Sequence, residues 1–166
     1  KNTFGYFVRN LPLQKLKKEL ANSNTFHQVK LEYITPRGNW YQYSWKGDNS
    51  KSGGLATNIG IHLFDLLIWL FGDAKSSQML NQEEKKMSGI IQFQQAEVRW
   101  TLSIDKNDLI DKSLNSYRLL EISGEKIEFD NGFHNLHTKS YQEILSGRGF
   151  RIKEVKKSIE IVSKMR

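Results

Sequence analysis

Apolar and polar residues alternate along much of this chain. The alternation gives way in four places to apolar residues recurring every three or four positions. Residues 2–9 set Phe4, Tyr6 and Val8 against Thr3, Gly5 and Arg9, the pattern of a strand. Pro12 suits the first turn of a helix whose inner face is Leu13, Leu16 and Leu20, with Lys15, Lys17 and Lys18 outward. Phe26 to Thr35 reads as a second strand through Val29, Leu31 and Tyr33, and it stops at the turn signal Pro36-Arg37-Gly38-Asn39. A long helix is expected from Leu55 to Phe71, apolar nearly all round in its second half and closed by Gly72 as a left-handed cap. Strands are expected near 76–82, 87–94, 96–104, 116–122 and 126–130, with Ser123-Gly124 as a hairpin turn. Two helices close the chain, Thr138 to Ser146 before Gly147 and Ile152 to Met165, the latter striped by Ile152, Val155, Ile159 and Val162. Many successive strands with helices gathered at a few points predict an α+β fold. The expected form is an open, largely antiparallel sheet with helices on one face and the other face left for oligomer packing.

Composition narrows the function classes. The 166 residues suffice for a single domain with a real core, and a 38% hydrophobic content argues against disorder. The chain contains no cysteine, which removes disulfides, thiolate zinc sites and thiol nucleophiles and suits a reducing, cytoplasmic setting. No apolar run is long enough for a membrane helix, so no membrane partner is expected. The net charge of +7 raises the question of nucleic acid. Residues 151–166 hold six Lys or Arg and two acidic residues, so most of the excess sits on one terminal amphipathic helix. That reads as a solvated basic face, and no nucleic-acid partner is expected. The chain begins in a strand-like run without an initiator Met, and the expectation is that it belongs to something longer.

Candidate chemistry lies between Trp40 and Asp65. The stretch Trp40 to Gly54 is too polar for core and too aromatic for an ordinary solvent loop, packing Trp40, Tyr41, Tyr43 and Trp45 beside Lys46, Asp48 and Lys51. On the helix that follows, Asn58, His62 and Asp65 stand at i, i+4 and i+7 on one face. Gly53-Gly54 at its entrance would let a ligand approach the backbone. An imidazole can take a proton from a hydroxyl near neutral pH, and a carboxylate one turn on can orient the ring. The same three side chains could equally cap and link core elements. His134 and His137 have a metal-like spacing without an acidic neighbour, and Gly147-Arg148-Gly149 lacks the third glycine of a dinucleotide fingerprint.

The pattern Gly53-Gly54-x-x-x-Asn58-x-Gly60-x-His62-x-x-Asp65 resembles the signature of the C-terminal domain in the glucose–fructose oxidoreductase / inositol dehydrogenase (Gfo/Idh/MocA) family. The stretches Tyr33 to Tyr41, Ser44 to Asp48, Lys51 to Gly54 and Leu136 to Phe150 are similar to one branch, the UDP-N-acetylglucosaminuronate 3-dehydrogenases. The resemblance implies a single C-terminal substrate-binding and assembly domain over residues 1–166, with an N-terminal Rossmann domain missing from this chain. NAD(P) would be held by that missing domain and no cofactor by this chain. The activity implied is oxidation of a hydroxyl, at the 3-position, of a UDP-N-acetyl-hexuronic acid by the full-length enzyme, with this fragment inactive alone. His62 would be the proton-transfer residue, with Asp65 beside it. Arg37, Trp40, Tyr41, Lys46 and Lys51 would line the substrate pocket with Gly53, Gly54 and Asn58. Asn58 stands where the family commonly has Asp, so an ionised pair with His62 is not available there. The partners implied are the nucleotide-sugar substrate, the Rossmann domain and further copies of the chain. A non-catalytic sugar-nucleotide-binding or oligomerisation module is the alternative, and a basic nucleic-acid-binding domain a more distant one.

Overall fold

The computed structural model describes residues 11–127, 136–149 and 151–165. The strand expected at 2–9 and the far end of the one expected at 126–130 lie outside these residues. Helix α1 (Leu11–Ala21) buries Leu13 and Leu20 as its spacing requires. Strand β1 (His27–Ile34) follows, then two single-turn helices, α2 (Trp40–Tyr43) and α3 (Asn49–Ser52). A π-helical turn, Ala56–Gly60, leads directly into α4 (Ile61–Phe71). Strands β2 (Ser76–Gln82), β3 (Lys86–Gln92), β4 (Ala96–Ser103), β5 (Tyr117–Ile122) and β6 (Glu125–Ile127) come next. Helices α5 (Leu136–Leu145) and α6 (Ile152–Ser163) complete the described chain.

The strands form one open sheet in the order β2-β3-β4-β1-β5-β6, antiparallel throughout except where β1 runs parallel to β4. Registers Val29↔Val98, Leu31↔Trp100 and Tyr33↔Leu102 put one parity of each strand on a common face. Helix α4 covers that face. Phe64 meets Trp100 edge-on with ring centroids 5.2 Å apart, and Phe71 meets Phe93 at 5.7 Å. Leu63, Phe64, Leu66, Leu67 and Leu70 are all buried, each contributing about 1.5–3 kcal/mol. Gly60 fixes how closely the helix lies on the sheet. A Cβ there would come within 2.6 Å of Leu102 Cδ1 and 2.8 Å of the Phe64 ring.

The opposite face is mostly polar, carrying Lys30, Arg99 and Glu121 among others. One end of it is closed by the connection after β4. Ile34, Leu109 and Leu119 are buried there, apart from the main core. Asp108 ties the connection down by accepting from Ser103 Oγ at 2.6 Å and from Lys86 Nζ at 3.0 Å.

Two local expectations are refined. The long helix does not begin as regular α structure at Leu55; its first turn is widened over Ala-Thr-Asn-Ile-Gly, a run of mostly weak helix formers. Gly72 does close α4 with positive φ (82°), but its ψ of −150° lies outside the left-handed helical region, so the chain leaves extended into β2. The hairpin at Ser123-Gly124 has both residues at positive φ, 51° and 89°, as a tight antiparallel turn requires.

Candidate functional site

The carboxyl end of β1 turns into the aromatic segment because the Arg37 N–H is held by the Ile104 carbonyl at 3.1 Å. This places Arg37, α2 and α3 beside the π turn that opens α4. Tyr41 is 4% exposed, whereas Trp40, Tyr43 and Trp45 stand out into solvent. Gly47 allows a close crossing here, since a Cβ would lie 2.7 Å from Gln42 Cα and from the Tyr41 carbonyl oxygen.

Asn58 joins the segment to the helix. Its Nδ2 donates to Tyr41 Oη at 3.0 Å and to the Lys46 carbonyl at 3.1 Å. A carbonyl accepts only, so the amide must present its NH2 on that side, and Tyr41 Oη then receives the other proton. The Tyr41 phenol keeps its own proton as a donor. Burial pushes its pKa up, opposed by the Asn58 bond and by the positive charge of Arg37.

Gly53 and Gly54 both take positive φ, 77° and 74°. Gly53 ends α3 in the left-handed conformation, its N–H bonded to the Asn49 carbonyl, and the Gly54 N–H is held by Ser52 Oγ at 3.1 Å. These amides are engaged inside the chain, so the glycine pair does not form a phosphate cradle. Lys51 pairs with Asp48 at 3.1 Å, and Asp48 caps α3 through the Ser50 N–H at 2.9 Å. Bonds from Ser50 and Lys51 hold the Asp48 carboxyl at about 2. Lys46 Nζ lies 5.8 Å from the Trp45 ring centroid.

His62 follows Asn58 by one turn. It retains solvent exposure along the helix flank, yet the atoms packed around its ring hold its pKa below the ordinary imidazole value. The negative charge of Asp65 pulls the other way. Asp65 also accepts a hydrogen bond from Ser158 Oγ and so fastens α6 to α4. Its position therefore serves helix packing as well as the electrostatics of His62.

The structure thus brings Arg37, Tyr41, Lys46 and Asn58 into one cluster, with His62 one turn beyond. Lys51 and Trp40 sit at its solvent edge. A separate cleft of about 460 Å³ lies where α4, β2 and α6 meet, lined by Ile68, Asp73, Lys75, Lys157 and Lys164 among others. None of the residues nominated from sequence lines it. The nominated cluster is an open surface of this chain. Among the described residues there is no group of three or more His, Cys, Asp or Glu able to hold a metal ion. No helix among them is long and apolar enough to cross a membrane.

Residues 24–106 match the oxidoreductase family, C-terminal alpha/beta domain. The chain belongs to this family. The WlbA (WbpB) dehydrogenase of Thermus thermophilus, solved with NAD and UDP-GlcNAcA, is 38% identical over 96% of this chain, with a TM-score of 0.85. The same enzyme solved with NAD and α-ketoglutarate gives 40% identity over 93% of the chain and a TM-score of 0.84. The WlbA dehydrogenase of Bordetella pertussis shares the fold at 19% identity, with a TM-score of 0.68 over 94% of this chain and 57% of its own. The chain spans about half the length of the Thermus structures, 51% and 53%. Within the family domain, the described structure supplies the sheet, the signature helix and the aromatic segment.

Two contacts escaped the reading of the sequence. The bond from Asn58 to Tyr41 joins residues 17 apart and has no local signal. Arg118 was readable in principle. It shares parity with Leu120 and Ile122 on β5, so it stands among core-facing positions, where an arginine is out of place.

Proposed function

We propose that this chain is the C-terminal, substrate-binding half of an NAD-linked dehydrogenase that oxidises a secondary hydroxyl, at the 3-position, of a UDP-linked N-acetyl-hexuronic acid. The observation that carries the reading is the Asn58 junction. It holds the Arg37 and Lys46 segment against the helix that bears His62. Similarity to a dehydrogenase solved with NAD and UDP-GlcNAcA supports the substrate class. The amides of Gly53 and Gly54 are engaged within the chain and do not form a dinucleotide cradle, which supports the reading that an N-terminal half holds the cofactor.

On this reading the chain's own residues bind, orient and move one proton. Neutral His62, favoured by its lowered pKa, accepts the proton of the reacting hydroxyl. Asp65 stabilises the imidazolium that results, because its charge raises the affinity of His62 for the proton. The Tyr41 phenol, fixed by Asn58, offers a hydrogen bond to a sugar oxygen. Arg37 and Lys46 supply positive charge for the anionic groups. The exposed faces of Trp40 and Trp45 suit a sugar or uracil ring. The mostly polar face of the sheet packs against a second copy, as its alternation of Lys30, Arg99 and Glu121 permits self-complementary pairing. A cytoplasmic setting suits a cysteine-free chain of this chemistry.

The test is His62→Asn in the full-length protein, with turnover and KM measured for UDP-GlcNAcA. The expected result is a fall in kcat of about 100-fold or more with KM little changed. Unchanged turnover removes His62 from the chemistry.

A further inference from the structure

The turn that carries Arg37 hangs from the end of β4. Beyond the last paired residues, Ile34 and Ser103, the Thr35 N–H donates to the Ser103 carbonyl at 2.9 Å. The Arg37 N–H then donates to the Ile104 carbonyl at 3.1 Å. Pro36 between them has no N–H to give, so the turn rests on the amides either side of it. Thr35 is buried, and Arg37 is the first exposed residue beyond β1. Where Arg37 stands is therefore set by where residues 103 and 104 stand.

The end of a strand is where a sheet frays most easily, yet here a polar junction holds it. Ser103 is fully buried; its hydroxyl receives the Asp105 N–H at 3.0 Å and donates to Asp108 Oδ2 at 2.6 Å. Lys86, at the start of β3, donates to Asp108 Oδ1 at 3.0 Å. The neighbouring Lys85 carbonyl receives the Ile104 N–H at 2.9 Å. Asp108 is itself placed by the 3₁₀ turn Lys106–Asp108, which Asp105 caps through the Asn107 N–H at 2.8 Å. Its carboxylate thus ties the start of β3 to the end of β4. Burial disfavours its charge, but the bonds from Ser103 and Lys86 outweigh that and hold its carboxyl below the ordinary range. Charge-assisted bonds of this kind are about twice as strong as neutral ones.

We infer that Asp108 is a positioning residue for Arg37: through Ser103 and Ile104 it fixes the backbone from which the guanidinium reaches an anionic group of the substrate. The inference rests on the reading of Arg37 as a ligand for a nucleotide-linked sugar acid. It extends the site from the aromatic segment to the connection after β4.

The experiment is steady-state kinetics of the full-length protein with NAD and UDP-GlcNAcA. The variants are Asp108→Asn, Ser103→Ala, Arg37→Met, and each of the first two combined with Arg37→Met. Asparagine keeps the shape of the carboxylate without its charge, and alanine removes the hydroxyl through which it acts. The expected result is a KM for UDP-GlcNAcA raised about fivefold or more in each of these two variants, with kcat within about twofold. In the Arg37→Met background, where KM is already raised, neither adds more than about twofold, because the residue they position is gone. A merely structural role would instead lower kcat and add its full effect in that background. An unchanged KM in either variant overturns the inference, as does a loss confined to kcat or full additivity with Arg37→Met. Should Asp108→Asn fail to fold, Ser103→Ala decides by the same criteria. If Arg37→Met alone leaves KM unaltered, Arg37 is no ligand; if the wild type shows no turnover that depends on UDP-GlcNAcA, the reading of the site is wrong. The inference falls with either result, whereas its own failure leaves the raised KM of Arg37→Met in place.

Discussion

Replacing Asn58 by Ala removes the junction between the aromatic segment and the signature helix while leaving both elements otherwise intact. Two hydrogen bonds disappear, at 3.0 Å to Tyr41 Oη and 3.1 Å to the Lys46 carbonyl. At about 1 kcal/mol net for each neutral bond, the loss is about 2 kcal/mol. Alanine regains about 0.5 kcal/mol of helix propensity over asparagine, and the half-buried site lets water reach the Lys46 carbonyl, so about 1.5 kcal/mol remains. For a chain of this size that lowers Tm by about 3–6 °C. Urea denaturation followed by tryptophan fluorescence reads the free energy directly. Tyr41→Phe removes the Tyr41 half of the junction alone and should cost about 1 kcal/mol. The double variant should then show about 1 kcal/mol of coupling between the two positions. Coupling near zero, with Asn58→Ala as stable as wild type, would refute the claim that this amide holds the segment in place.

Gly89→Ala is expected to destabilise by about 1–3 kcal/mol, read by denaturation, because a Cβ would lie 2.5 Å from the Gln78 carbonyl oxygen and 2.7 Å from the Trp100 ring. His62 should titrate by NMR with a midpoint below 6.5, and Asp65→Asn should lower that midpoint further. With its folded pKa depressed, the neutral form of His62 is the one that favours folding. The contribution is full above the unfolded value and is lost as pH falls from 6.5 towards the folded midpoint. The Asp48 carboxyl should titrate at about 2, followed through the Ser50 amide signal; its contribution is present above the ordinary carboxylate range and lost as pH falls through about 2. A midpoint at the unperturbed value of 3.8 contradicts the cap and the Lys51 pair.

The sequence made the elements legible wherever one periodicity dominated. Burial alternates along β3 and through β4 as far as Leu102, and Leu63, Phe64, Leu66, Leu67 and Leu70 are buried as their apolar run demands. The widened turn at Ala56–Gly60 was not visible, because a π turn and an α turn use the same residues and differ by where the helix must sit on Leu102. The direction of β1 against β4 was hidden too, since parallel pairing depends on a crossover and leaves no mark on the strand itself. At the site, the motif located Asn58, His62 and Asp65 but not their partners. Asp65 finds Ser158, 93 residues away, and Tyr33 finds Arg118 across 85. Those contacts come from register and helix packing, which local spacing does not encode.

We propose that the Asn58–His62 helix and the basic aromatic segment form the sugar-acid site of an NAD-linked dehydrogenase. The most direct test is to mix the full-length protein with NAD and UDP-GlcNAcA and follow reduced nicotinamide by absorbance. The account predicts reduction that depends on the sugar acid, and none from the 166-residue chain alone. Reduction by the isolated chain, or none by the full-length protein, would contradict it.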